Sequence, residues 1–144
     1  MKKPSFTILT TVSLISALAI PLCAQTISLK GDIPFEFVVG KTTMPAGEYT
    51  VKAGGTGFQS DVLRIEATVG HAAVNVTANR LEGDKTPDQS RLVFHKYGNQ
   101  YFLARAWSSA AAGGRELRES RTERELAKTA SVRETETVIL LAKR

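Results

Sequence analysis

Two histidines, His71 and His95, are the only imidazoles in the chain, and Cys23 is the only thiol. Neither histidine has a neighbour at His-x-His or His-x-x-x-His spacing, so the pattern offers no ready zinc site. The acids Glu82, Asp84 and Asp88 lie in one polar stretch. They lack the spacing and terminal glutamate of a calcium-binding EF-hand loop, and Lys85 sits among them. Glu36, Glu48 and Glu66 are candidates for paired-carboxylate hydrolysis, which needs two acids facing across a cleft. Each falls on the polar phase of its segment, where a solvated charge is expected. Ser108-Ser109 lacks the Gly-x-Ser-x-Gly setting of an activated serine and reads as a loose connection before an Ala-Gly run. Gly54-Gly-Thr-Gly57 lacks the Lys-Ser/Thr pair of a phosphate-binding loop and reads as a flexible turn. Tyr97 and Tyr101 beside Lys96 and Arg105 have the composition of a base-stacking platform, but core or rim aromatics are the expected role. Asn75-Val-Thr77 fits a glycosylation sequon and lies inside a strand-like segment. No catalytic, cofactor or metal residue is therefore assigned, and the reading is non-enzymatic.

The elements that would carry these residues begin with a leader. Lys2 and Lys3 form a positive start, no further charge appears until Lys30, and Phe6 to Ile20 is dominated by Ile, Leu, Val and Ala. Pro21 ends the run and Leu22-Cys23-Ala24 follows. This is the layout of a secretory signal peptide over residues 1–24, with cleavage expected after Ala24. The alternatives are an uncleaved anchor through residues 4–20, slightly short of a span, and a lipidated Cys23, disfavoured by Leu22 before it. Cleavage leaves residues 25–144 as one β-rich domain in the periplasm or outside the cell. It removes Lys2 and Lys3 from a chain of net charge +5, and the only cysteine with them. Without a disulfide, stability must come from core burial, and a domain of this size hides enough surface.

The remaining 120 residues alternate. Ile33, Phe35, Phe37 and Val39 share one phase, which predicts a half-buried strand over 33–39 with Pro34 at a sheet edge. Met44-Pro-Ala-Gly47 predicts a turn. Tyr49 and Val51 begin a second strand. Leu63, Ile65 and Ala67 form a third, and Ala72, Val74, Val76 and Ala78 a fourth, with Val69-Gly70 turning the chain between them.

Gly98-Asn99 lies between two β-prone runs and predicts a type II′ hairpin. That register pairs Tyr97 with Gln100, His95 with Phe102, Phe94 with Leu103 and Val93 with Ala104. It places Leu92, Phe94, Tyr101, Leu103 and Trp107 on one face and Val93, His95, Tyr97, Phe102 and Ala104 on the other. Both faces are apolar, so the hairpin belongs in a sheet covered on both sides or in a closed barrel.

Arg115 to Arg144 carries 8 basic and 6 acidic residues. Their alternation cancels the field a nucleic-acid backbone needs, so no nucleic-acid partner is expected. Ser120-Arg-Thr-Glu123 matches a capping box and predicts a surface helix of two to three turns, with Leu126, Ala127 and Ala130 as its apolar side. Thr135 to Ala142 reads as a last strand, buried on both faces near Val138 to Leu141, with a continuing helix as the rival.

Three pieces are similar to a family: Ile33-Pro-Phe-Glu-Phe-Val-Val-Gly40 with Met44-Pro-Ala-Gly-Glu-Tyr-Thr-Val51; Leu92-Val-Phe-His-Lys-Tyr-Gly98 with Tyr101-Phe-Leu-Ala-Arg-Ala-Trp107; and Ser120 with Glu123-Arg-Glu-Leu-Ala127. They resemble a group of small exported β-rich proteins common in acidobacteria, functionally uncharacterised. The resemblance implies export and a β-rich fold and nothing catalytic.

The expected architecture is a mainly β, antiparallel sandwich or small barrel of about seven strands with one short C-terminal surface helix. The expected function is an exported binding or structural module of the cell envelope. A carrier holding a small apolar ligand inside a barrel is the alternative, and an unrecognised hydrolase is a weaker one.

Overall fold

The computed structural model describes residues 28–54, 62–82, 87–109, 113–129 and 135–140. The leader and Cys23 lie outside these residues. The described chain is mainly β and nearly all antiparallel, with one short helix. Its strands are β1 (Ser28–Ile33), β2 (Phe37–Val39), β3 (Thr42–Met44), β4 (Gly47–Gly54), β5 (Val62–Ala67), β6 (Ala73–Leu81), β7 (Arg91–Tyr97), β8 (Gln100–Trp107), β9 (Gly114–Leu117) and β10 (Thr135–Leu140). The helix α1 (Arg121–Thr129) stands between β9 and β10.

Hydrogen-bonded neighbours run β1-β4-β5-β6-β9-β8-β2-β3, and β7 joins β8 to β10. Among the described residues β1, β3 and β10 are the ends of this pairing, so the sheet is open and not a closed barrel. β6 divides its partners. Ala73 to Thr77 pair with β5, whereas Ala78 to Leu81 pair with β9. The sheet turns there onto a second layer. Phe37 on β2 and Tyr49 on β4 are five strand spacings apart along the pairing, about 24 Å on a flat sheet. Their ring centroids are 5.1 Å apart. Only a sheet bent back over its own inner face brings them together. That face buries Leu29, Ile33, Phe37, Val39, Tyr49, Val51, Leu63, Ile65, Leu92, Phe94 and Leu103 in one core.

The run from 33 to 39 keeps its alternating burial but is not one strand. Pro34, which has no amide to donate, lies in the break between β1 and β2. β1 pairs with β4, and β2 pairs with β3 and β8. The phase continues because both pieces face the same core. The Met44-Pro-Ala-Gly47 turn is closed by its own tyrosine: the Tyr49 hydroxyl donates to the Pro45 carbonyl at 2.7 Å. Burial pushes the Tyr49 hydroxyl pKa upward, which keeps it a donor.

The β7–β8 hairpin forms as expected at its turn. Gly98 has φ +60, the left-handed value a II′ turn places at its first central residue, while Asn99 has negative φ. Tyr97, His95 and Phe94 face Gln100, Phe102 and Leu103. Val93 does not face Ala104. A bulge between Val93 and Phe94 shifts the register, so Val93 pairs with Arg105, Leu92 with Ala106 and Arg91 with Trp107. The extra residue exchanges faces beyond it. Ala106, not Trp107, joins Leu92 in the core. Trp107 instead takes the Arg91 guanidinium over its ring at 5.5 Å.

The strand β9 follows the Ala-Gly run, in a stretch to which the sequence pattern assigns no element. Ser109 is held, not free: its amide donates to the Ser90 hydroxyl at 2.9 Å. Thr135–Leu140 is a strand, paired with β7. Of the expected burial near Val138 to Leu141, only Ile139 has a described side chain, which packs partly buried against the core.

Candidate functional site

His95 is the fifth residue of β7 and points away from the main core, in phase with Val93 and Tyr97. That second face is itself buried at Val93, Tyr97, Phe102 and Ala104. An imidazole placed there needs a polar partner, because an unmet polar group in an apolar setting is costly.

The partner comes from α1. Ser120 caps this helix, its hydroxyl accepting the Glu123 amide at 3.1 Å and its carbonyl accepting the Arg124 amide at 3.0 Å. The cap fixes the first turn and aims Glu123 at the sheet. Glu123 Oε1 lies 3.0 Å from His95 Nδ1. Their side chains are only 6% and 12% exposed, so this is an interior contact. Burial raises the Glu123 pKa. The hydrogen bond and charge of His95 pull it down, Glu119 raises it, and the Ser120 amide lowers it. When Glu123 is ionised, Nδ1–H of His95 donates to it. This orients the ring and makes Nε2 the basic nitrogen of the neutral tautomer. Such a pair can hold a proton, orient a donor or accept a ligand's proton.

The pair adjoins an open pocket of about 400 Å³. His95 and Ala104 line one side, and Leu117, Arg118 and Glu119 another. Asn79, Glu116 and Arg124 complete it. Glu116 is engaged by Arg105 Nε at 3.2 Å.

Glu123 was legible only as a cap. Its burial against His95 follows from two segments 28 residues apart, and no local pattern joins them. The signal available was a histidine on an apolar hairpin face, opposite Phe102. The expected apolar side of the helix is weak here: Leu126 is half-buried and Ala127 exposed, so the charged residue supplies the deeper contact.

The other residues singled out by type lie apart. His71 is exposed in the β5–β6 turn. Glu48 pairs with Lys30 at 2.9 Å and Glu66 with Arg64 at 3.3 Å, while Glu36 is exposed on another part of the chain. Glu48 and Glu66 share one face of the β4–β5 pair, diagonal across its register, and each is held in its own ion pair. Glu82 and Asp88 are exposed, and Asp84 lies outside the described residues. Gly54 ends β4, and residues 55–57 lie outside the described residues. Asn75 is exposed on β6. Tyr97 is buried, and Tyr101 already stacks on Phe35 at 3.9 Å with Lys96 5.1 Å from its ring. These contacts occupy the surfaces a base platform would offer. Among the described residues no three His, Cys, Asp or Glu side chains gather as a metal site.

Comparison of the chain with protein families, with curated proteins and with solved structures finds no match to any of them.

Proposed function

We propose that this chain is an exported binding or structural module of the cell envelope, without turnover of its own. Export is motivated by the Lys2-Lys3 start, the apolar run and the Pro21 to Ala24 end of the leader. The observation that carries the module reading is a packed interior beside a polar surface pocket. Phe37, Tyr49 and Phe94 fill the middle of the core edge-to-face, with centroids 5.1 and 5.5 Å apart. Aromatic rings in the position of a lumen favour binding at the surface over carriage of an apolar ligand inside a barrel.

The test is expression from the full-length sequence in a bacterial host, followed by fractionation and intact mass. A periplasmic or secreted product beginning at Gln25 is expected. A cytoplasmic product of full mass ends the export reading. Purified protein should leave generic ester, glycoside and peptide substrates intact. Turnover lost on His95→Gln would replace the module by a hydrolase. Native mass spectrometry with a co-purifying lipid would restore the carrier.

A further inference from the structure

We infer that the pocket beside His95 and Glu123 is a binding site for a small oxyanion, a carboxylate or phosphate group. The inference rests on the binding-module reading and names a ligand class for it. Its basis is the charge left over when the ion pairs are counted. Glu116 is neutralised by Arg105 at 3.2 Å, and Glu123 is committed to His95 at 3.0 Å. Arg118 and Arg124 line the same pocket, and neither has an ion-pair partner among the described residues. Glu119 is the single carboxylate there without one. Two guanidinium groups stand against one carboxylate, so the pocket is one positive charge in excess whenever the His95–Glu123 pair carries no net charge.

The geometry suits the chemistry. A guanidinium presents a planar fork of N–H donors that matches two oxygens of a carboxylate or phosphate. Arg118 lies just before α1 and Arg124 in its early turns, so they reach the pocket from two successive points of the chain. Asn79, from β6, adds an amide on another wall. The apolar side chains of Ala104 and Leu117 line the remainder, which lowers the local dielectric and strengthens charge-assisted bonds. The His95–Glu123 pair holds α1 against β7, and so keeps Arg124 near Asn79.

The experiment is nuclear magnetic resonance titration of 15N-labelled protein expressed from the full-length sequence. One arm adds inorganic phosphate, one sodium acetate, and a third sodium chloride at equal ionic strength. Saturable shifts at Asn79, Arg118 and Arg124 under phosphate or acetate, absent under chloride, are expected. The tighter arm identifies the preferred head group. The Arg118→Gln/Arg124→Gln variant should weaken that binding about tenfold or more, since it removes two charged forks. Both residues are exposed, so its amide spectrum should keep the hairpin signals. Asn79→Ala is a second variant that leaves charge unchanged and should weaken binding less. Equal shifts under chloride, no saturation, or undiminished binding in the double variant overturns the site. The module reading fails separately, on the mass and localisation results above.

Discussion

At the scale of single residues, the contact between His95 and Glu123 has the sharpest consequences. Two ionisable side chains are withdrawn from water, and each is the other's compensation. His95→Leu leaves a buried carboxylate without its partner and should cost about 1–3 kcal/mol of stability in chemical denaturation. Glu123→Leu should cost a similar amount, and the double variant should cost less than the two together. A coupling of about 1 kcal/mol in this cycle is expected, and strict additivity would show the two side chains to be independent. The pH dependence has a defined sign. Glu123 faces His95 from β7, Glu119 and the Ser120 amide from the segment before α1, and Arg124 and Glu116 around the pocket. Its folded pKa stands above the ordinary 4.5, mainly through burial. The folded protein therefore binds this proton more tightly than the unfolded chain. Its contribution is complete below pH 4.5 and is lost as pH rises through the folded pKa. Denaturation of wild type against Glu123→Gln across that window should show the wild type losing stability relative to the variant as pH climbs. A flat difference would contradict the burial-driven shift.

At the scale of elements, register depends on a few residues that admit no side chain. Gly114 on β9 faces Trp107 on β8. A Cβ at Gly114 would stand 2.8 Å from the indole and 3.0 Å from the Ala106 carbonyl oxygen. The backbone oxygen cannot swing aside, and the indole is held under Arg91. Gly114→Ala should destabilise the domain by about 1–3 kcal/mol, read by denaturation, with the Trp107 fluorescence altered in the native state. The same substitution at an open position would be near neutral. The cap of α1 gives a second element-level expectation. Ser120→Ala removes the hydroxyl that accepts the Glu123 amide and should cost about 1 kcal/mol. Because the cap also aims Glu123, the loss should be smaller in a His95→Leu background, where that aim no longer matters.

For the whole molecule, the inner face of one bent sheet supplies the stability. Phe37 touches both Tyr49 and Phe94 and so links the two layers. Phe37→Ala should cost about 3–5 kcal/mol and lower the single unfolding transition followed by circular dichroism and tryptophan fluorescence alike. Phe35→Ala, at a half-buried ring stacked on Tyr101, should cost less. Two separate transitions in the Phe37 variant would mean that the layers fold independently.

What the linear pattern determined was which side chains share a face. Leu63 with Ile65, Phe37 with Val39, and Phe94 with Leu103 were set inward by period-two alternation, and turn chemistry placed the Gly98-Asn99 hairpin and the Ser120 cap. Alternation is local, however, and carries no record of which strands meet. The break at Pro34, the change of partner along β6, the existence of β9 and the bulge that turns Trp107 out of the core all depend on residues distant in the chain. The candidate site belongs to this second group. Its histidine and glutamate each have an ordinary role in their own segment, and only the docking of α1 beside β7 removes both from water and makes them one unit.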